Sequence, residues 1–149
     1  MNMRKASMHE AGLLSDLSFR SKAHWGSMGI PILAIIVLYL GFSIWIGESA
    51  RAIVKHAMDN NYNFSTTTAE MTAEVFNKIN PQRRGMKSSN YEPANYSSKF
   101  TLGLHYFWGG HVWVSHQYET KDTGFKEWVS LDLRLVDGKW KAVNVYIAP

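Results

Sequence analysis

Residues Ile30 to Ile46 read IPILAIIVLYLGFSIWI, an apolar run without a charge, and this run limits what the chain can fold into more than any other stretch. A helix that crosses the hydrocarbon of a bilayer needs roughly 20 apolar residues. Met28 and Gly29 in front and Gly47 behind bring the run to that length, so residues 28–47 are expected to form a transmembrane helix. Pro31 is expected in its first turn, where the missing N–H is no loss and the fixed φ is already helical. Trp25 and Trp45 sit where an aromatic belt at the two membrane faces would put them. The core helix of a soluble domain would keep a polar stripe, and this run shows none over about four turns.

The flanks set the orientation. Arg4, Lys5, Arg20 and Lys22 outweigh Glu10 and Asp16 ahead of the span, which predicts a cytoplasmic tail over residues 1–27. Residues 48–149 then lie on the far side of an inner (plasma) membrane, as a periplasmic or otherwise extracytoplasmic domain. Ala50-Arg51-Ala52 has the small-x-small form of a signal cleavage site. The apolar run is longer than the roughly 7–15 residues of a signal core and its leading segment is too long, so an uncleaved anchor is expected. Within the tail, Ala11 to Phe19 is weakly amphipathic and suits a membrane surface, a partner or a loose segment equally well.

Composition narrows the chemistry. With no cysteine, disulfides, thiolate metal sites and thiol catalysis are excluded. The formal charge of +4 is spread along the chain and gives no focused patch for nucleic acid. No phosphate loop, serine elbow or zinc motif occurs, and neither a cofactor nor a metal is expected.

After the span, Ala50, Ile53, Val54, Ala57 and Met58 repeat at helical spacing, and the span is expected to run on into this helix until Asn60-Asn61-Tyr62-Asn63. Thr67 with Glu70 has the form of a capping box opening a second helix, with Met71, Val75, Phe76 and Ile79 on its apolar face, ending at Asn80-Pro81. Gln82 to Ser98 has no period and reads as a long loop or partly helical crossover. It carries Arg83, Arg84 and Lys87, a small basic cluster suited to an acidic partner or lipid headgroups, or simply to solvent. From Lys99 the period becomes two, and four strands are expected: Lys99 to Trp108, His111 to Thr120, Phe125 to Val136 and Lys139 to Ile147. Gly109-Gly110 and Asp137-Gly138 supply two-residue hairpin turns, and Lys121 to Gly124 a four-residue one. The fold class is therefore α+β: one transmembrane helix, then two or three short helices packed on a curved four-stranded antiparallel sheet.

Straight pairing from these turns assigns the faces. Leu135 should face Trp140, Leu133 Ala142, Leu131 Asn144 and Val129 Tyr146, with Val112, Val114, His116, Phe107 and His105 on the same side. That inner face would hold an aliphatic floor with His105, His116, Asn144 and Tyr146 at one end. His105 and His116 would be diagonal neighbours, while His111 falls on the other face, so a metal would lack its third ligand. A general-base histidine with Tyr146 or Asn144 as hydrogen-bond donor is the catalytic reading, and histidines satisfied in the core are the plainer one. Glu127, opposite Tyr118, is expected at the sheet edge. The outer face would show Tyr106, Trp113, Trp128, Val143, Val145 and Ile147, with Leu102 and Leu104. That is more apolar surface than water favours, which predicts an interface with another subunit or the bilayer.

Helices followed by an antiparallel meander that ends in Val136-Asp137-Gly138-Lys139-Trp140-Lys141-Ala142 resemble the nuclear transport factor 2-like superfamily over about Ser49 to Pro149. The resemblance implies helices packed into a cone-like bent sheet, and it brings isomerases and dehydratases into view. With a basic tail and one span added, the chain is similar to the bitopic inner-membrane subunit of type IV secretion and conjugation machines. The function expected is thus a single-pass structural or assembly subunit of an envelope complex, in a homo- or hetero-oligomer. The alternatives are an accessory subunit of a respiratory or transport complex and a membrane-anchored ligand-binding protein or enzyme.

Overall fold

The computed structural model describes residues 7–59, 63–86, 95–100, 105 and 107–149, with side chains described from residue 29 onward. Leu102, Leu104, Tyr106, Lys87 and Asn60-Asn61-Tyr62 lie outside the described residues, as do the side chains of Trp25 and of Ala11 to Phe19. The chain forms two compact units, Met1–Gly41 and Phe42–Pro149.

Helix α1, Ser7–Asp59, runs without a break. Its apolar side chains from Ile30 to Leu38 are exposed, Ile30 to 74% and Leu38 to 73%. Over Gly29–Asp59 it contains a stretch of mean hydropathy 2.3 that is only 11% buried, long and apolar enough to cross a membrane. Pro31 is not in a first turn: the helix begins at Ser7, which places the proline in its interior. Apolar membrane helices tolerate such a proline because neighbouring groups satisfy the freed carbonyl.

In the second unit the same helix becomes amphipathic. Ser43, Ile46, Gly47, Ala50, Ile53, Val54, Ala57 and Met58 are buried at intervals of three and four, the spacing that gives one apolar stripe. The cleavage-like tripeptide is helical, with Ala50 in this stripe 1% exposed and Ala52 facing out. At Gly47 an added Cβ would lie 3.9 Å from Nε2 of His116, an ordinary contact distance. Gly47→Ala is therefore expected to fit and to stabilise the domain by up to about 1 kcal/mol through helix propensity. Gly47→Leu should push α1 from the sheet and lower the urea midpoint measured in mild detergent.

After α1 comes a 3-10 turn, Phe64–Thr66, capped by Asn63, and then α2, Ala73–Ile79. The expected capping box is not used. The Thr67 carbonyl accepts from the N–H groups of Glu70 and Met71 at 2.9 and 3.0 Å, closing a turn. The chain then bridges the last strand, with Thr72 N–H donating to Ala142 O at 3.1 Å and Ala142 N–H to Glu70 O at 2.8 Å. This bridge holds residues 70–72 extended, so the helix can start only afterwards, with the Thr72 hydroxyl accepting from Val75 N–H.

The sheet is antiparallel and five-stranded: β1 Tyr96–Ser98, β2 Phe107–Trp108, β3 His111–Thr120, β4 Lys126–Val136 and β5 Lys139–Ala148. The spatial order is β1-β3-β4-β5, with β2 beside the other end of β3. Of the single strand expected from Lys99 to Trp108, residues 101–104 and 106 lie outside the described residues. Among the rest, Lys99 and Phe100 are outside any strand and Phe107–Trp108 form β2, while Tyr96–Ser98, expected in a loop, pair with Thr120, Glu119 and Tyr118. The turns fall as expected, with positive φ at Gly109, Gly110, Asp137 and Gly138, as two-residue type I′ hairpins require.

The straight β4–β5 register does not hold. Leu135 pairs with Trp140 and Leu133 with Ala142, but Asp132 then pairs with Asn144, Leu131 with Val145 and Val129 with Ile147, across a bulge that absorbs Val143. One extra residue exchanges the two faces of the strand beyond it. Val145 is buried and Ile147 packs against the core, whereas Asn144 and Tyr146 are exposed.

Candidate functional site

The inner face is occupied by the protein itself. Val112, Val114, Val129, Leu131, Leu133, Ala142 and Val145 are buried with Ile46, Ala50, Ile53 and Val54 of α1. His116 is 3% exposed, hydrogen-bonded to the Gly47 backbone, and its pKa is depressed to about 4 by burial and by the positive charges of Arg51 and His105. His105 is hydrogen-bonded to the Ser43 backbone, and burial lowers its pKa too. The two histidines are near enough for their charges to repel, as the spacing predicted. Asn144 and Tyr146 do not join them, because the bulge turns both outward. Asn144 instead accepts from Val145 N–H at 2.8 Å. A neutral histidine wedged against a helix is chemically a core residue, and the donor pair expected for catalysis stands on the opposite face.

The outer face is built by β3, β4 and β5. Trp113 is 53% exposed, Trp128 46% and Tyr146 68%. Between the tryptophans, Ser115 and Ser130 hydrogen-bond across the strands at 2.8 Å. Beside Trp113, His111 Nδ1 meets Asp132 Oδ1 at 2.9 Å. Trp113 pairs with Asp132 and Trp128 with Gln117, as the turns predicted, but Trp128 faces Ala148 rather than Ile147. The face is thus aromatic and polar rather than aliphatic, since Val145 and Ile147 belong to the core and Val143 is half-buried.

A buried ionic cluster was not legible beforehand. Glu127 is 2% exposed, inside rather than at the edge. Arg84 donates to both its oxygens, Nη1 to Oε1 at 3.1 Å and Nη2 to Oε2 at 2.8 Å, and the Tyr96 hydroxyl donates to Oε1 at 2.7 Å. Burial and the neighbouring carboxylate push the Tyr96 pKa up. The Tyr96 ring stacks on Tyr118 with centroids 4.9 Å apart. Arg84, read as part of an outward basic cluster, is thereby committed to holding the segment after α2 and β1 onto β4. Arg51 makes a similar tie, from Nε to Ser98 Oγ at 3.0 Å and from Nη2 to Lys99 O at 3.1 Å.

Among the described residues no three histidine, aspartate or glutamate side chains converge as a metal would require. An open depression of about 280 Å³ is lined by Lys78, Arg84, Val145, Tyr146 and Ile147, and another of about 180 Å³ lies along Trp45, Ser49, Lys139 and Trp140. Neither contains the histidine pair. Comparison with protein-family models, with characterised proteins and with solved structures finds no match to this chain.

Proposed function

We propose that this chain is a single-pass, membrane-anchored assembly subunit of a larger envelope complex, with residues 28–47 as the span and the N-terminus in the cytoplasm. Its extracytoplasmic domain docks through the outer sheet face. The observation that carries this reading is the asymmetry of the sheet: one face is filled by the chain's own helix, while the other presents Trp113, Trp128 and Tyr146 to solvent. Exposed aromatics interspersed with paired polar groups are the composition of an interface centre. The nuclear transport factor 2-like cone, and with it the kinship to secretion and conjugation machines, fits helices followed by a meander and remains part of this proposal. A catalytic role is less well supported, since His116 is shut in and Tyr146 and Asn144 stand on the other side.

Trp113→Ser with Trp128→Ser is expected to release the domain from its partners in mild-detergent co-purification, each truncation costing about 2 kcal/mol or more of binding where it is a hot spot. The double variant should unfold like the parent, because neither indole is in the core. Unchanged co-purification would reject the sheet face as the interface. The orientation is checked by a reporter fused after Pro149, which should be active only outside the cytoplasm.

A further inference from the structure

We propose that the two hairpin tips at one end of the sheet, Phe107–Gly110 and Val136–Lys139, rest in the headgroup layer of the bilayer that α1 crosses, so that the domain lies on the membrane surface rather than hanging from a tether. The inference rests on reading residues 28–47 as the span.

The register brings both tips to one end, since His111 pairs with Arg134 and Arg134 with Lys141. That end is also where α1 enters the domain. The Phe42 ring lies 6.4 Å from Phe107 and 5.9 Å from Trp140, and Trp45 lies 5.4 Å from Trp140, centroid to centroid. Phe42 and Trp45 belong to the last turns of the apolar run, so groups touching them stand at the level where the run leaves the lipid.

The tips are built for that layer. Trp108 is 84% exposed, Phe107 54%, Leu135 43% and Val136 42%, an apolar surface at two tight turns where polar residues are the rule. Trp140, at the base of the second tip, is 4% exposed and holds that tip against Phe42 and Trp45. Within residues 133–142, Arg134, Lys139 and Lys141 flank the second tip against Asp137 alone, a balance that favours anionic headgroups.

The absence of cysteine makes the test direct. Single-cysteine variants Trp108→Cys, Val136→Cys, Leu38→Cys and Lys121→Cys of the full chain carry a nitroxide in vesicles of phosphatidylcholine and phosphatidylglycerol, and power saturation compares oxygen with a water-soluble nickel complex. Labels at 108 and 136 should favour oxygen over nickel, as the label at 38 in the span does, while the label at 121 in the far turn favours nickel. If 108 and 136 behave like 121 while 38 stays in lipid, the domain stands clear of the bilayer and the proposal is overturned with the span intact. If 38 also meets nickel, the span reading fails and takes the proposal with it. Spin–spin broadening at 108 that vanishes on dilution with unlabelled chains would assign the tips to a second copy, which equally overturns it.

Discussion

Arg84→Ala is expected to lower the unfolding free energy of the domain by about 3–5 kcal/mol, among the largest losses any single exposed-looking position can give here. The reason is its partner. Glu127 is 2% exposed and receives both arms of the guanidinium, so removing the arginine leaves a buried carboxylate that, among the described residues, keeps only the Tyr96 hydroxyl. The loss reflects a stranded charge more than the worth of the pair, because desolvating two ions offsets most of their attraction. Accordingly, Arg84→Met with Glu127→Leu and Tyr96→Phe should recover most of the stability in urea titrations, although it removes every polar contact of the cluster. Arg84→Ala costing under about 1 kcal/mol would mean that water screens the pair as at a surface.

What the sequence disclosed, and what it hid, follows from the range of each interaction. The type I′ turns were legible because positive φ at Gly109, Gly110 and Gly138 demands residues that adopt it freely. The long apolar helix was legible from composition alone. The bulge at Val143 was hidden because β5 alternates acceptably in either register: Ala142, Asn144 and Tyr146 form one set, and Val143, Val145 and Ile147 the other. A straight pairing would have put Asn144 under α1 and Val145 in water, and that imbalance was the signal for an extra residue. Glu127 shares the inner parity of Val129, Leu131 and Leu133, so its burial could have been read. Its partner, 43 positions away in a stretch without period, could not.

The same reasoning explains why the helix start was misplaced. A capping box is a local preference worth about 1 kcal/mol. Opening α2 at Thr67 would give up the two backbone hydrogen bonds that tie residues 70–72 to Ala142 on β5. The bridge also covers backbone groups on β5, an outer strand of the sheet, which would otherwise stand open to another chain. Tertiary pairing therefore overrode the local signal.

Acid is expected to weaken the domain through His116. Its folded-state pKa is depressed to about 4 from an ordinary 6.5, by burial first and then by Arg51 and His105. A base whose pKa falls on folding binds its proton less readily in the native state, so the unfolded chain takes up protons first as pH drops. Its neutral form is at home above pH 6.5, and stability is lost progressively between about 6.5 and 4, by about 3 kcal/mol for a shift of this size. His105, also depressed by burial, acts in the same direction. Both groups are outside the apolar run of residues 28–47, and His116 is 3% exposed, so solvent screening does little to reduce its share. His116→Phe keeps a ring against Gly47 and removes the titration. In detergent, the parent's urea midpoint should fall steeply from pH 7 to pH 4, and the variant's should fall by visibly less. Parallel pH profiles for the two would show that His116 takes up its proton as readily in the folded domain as in the unfolded chain, contradicting the packing of α1 over it.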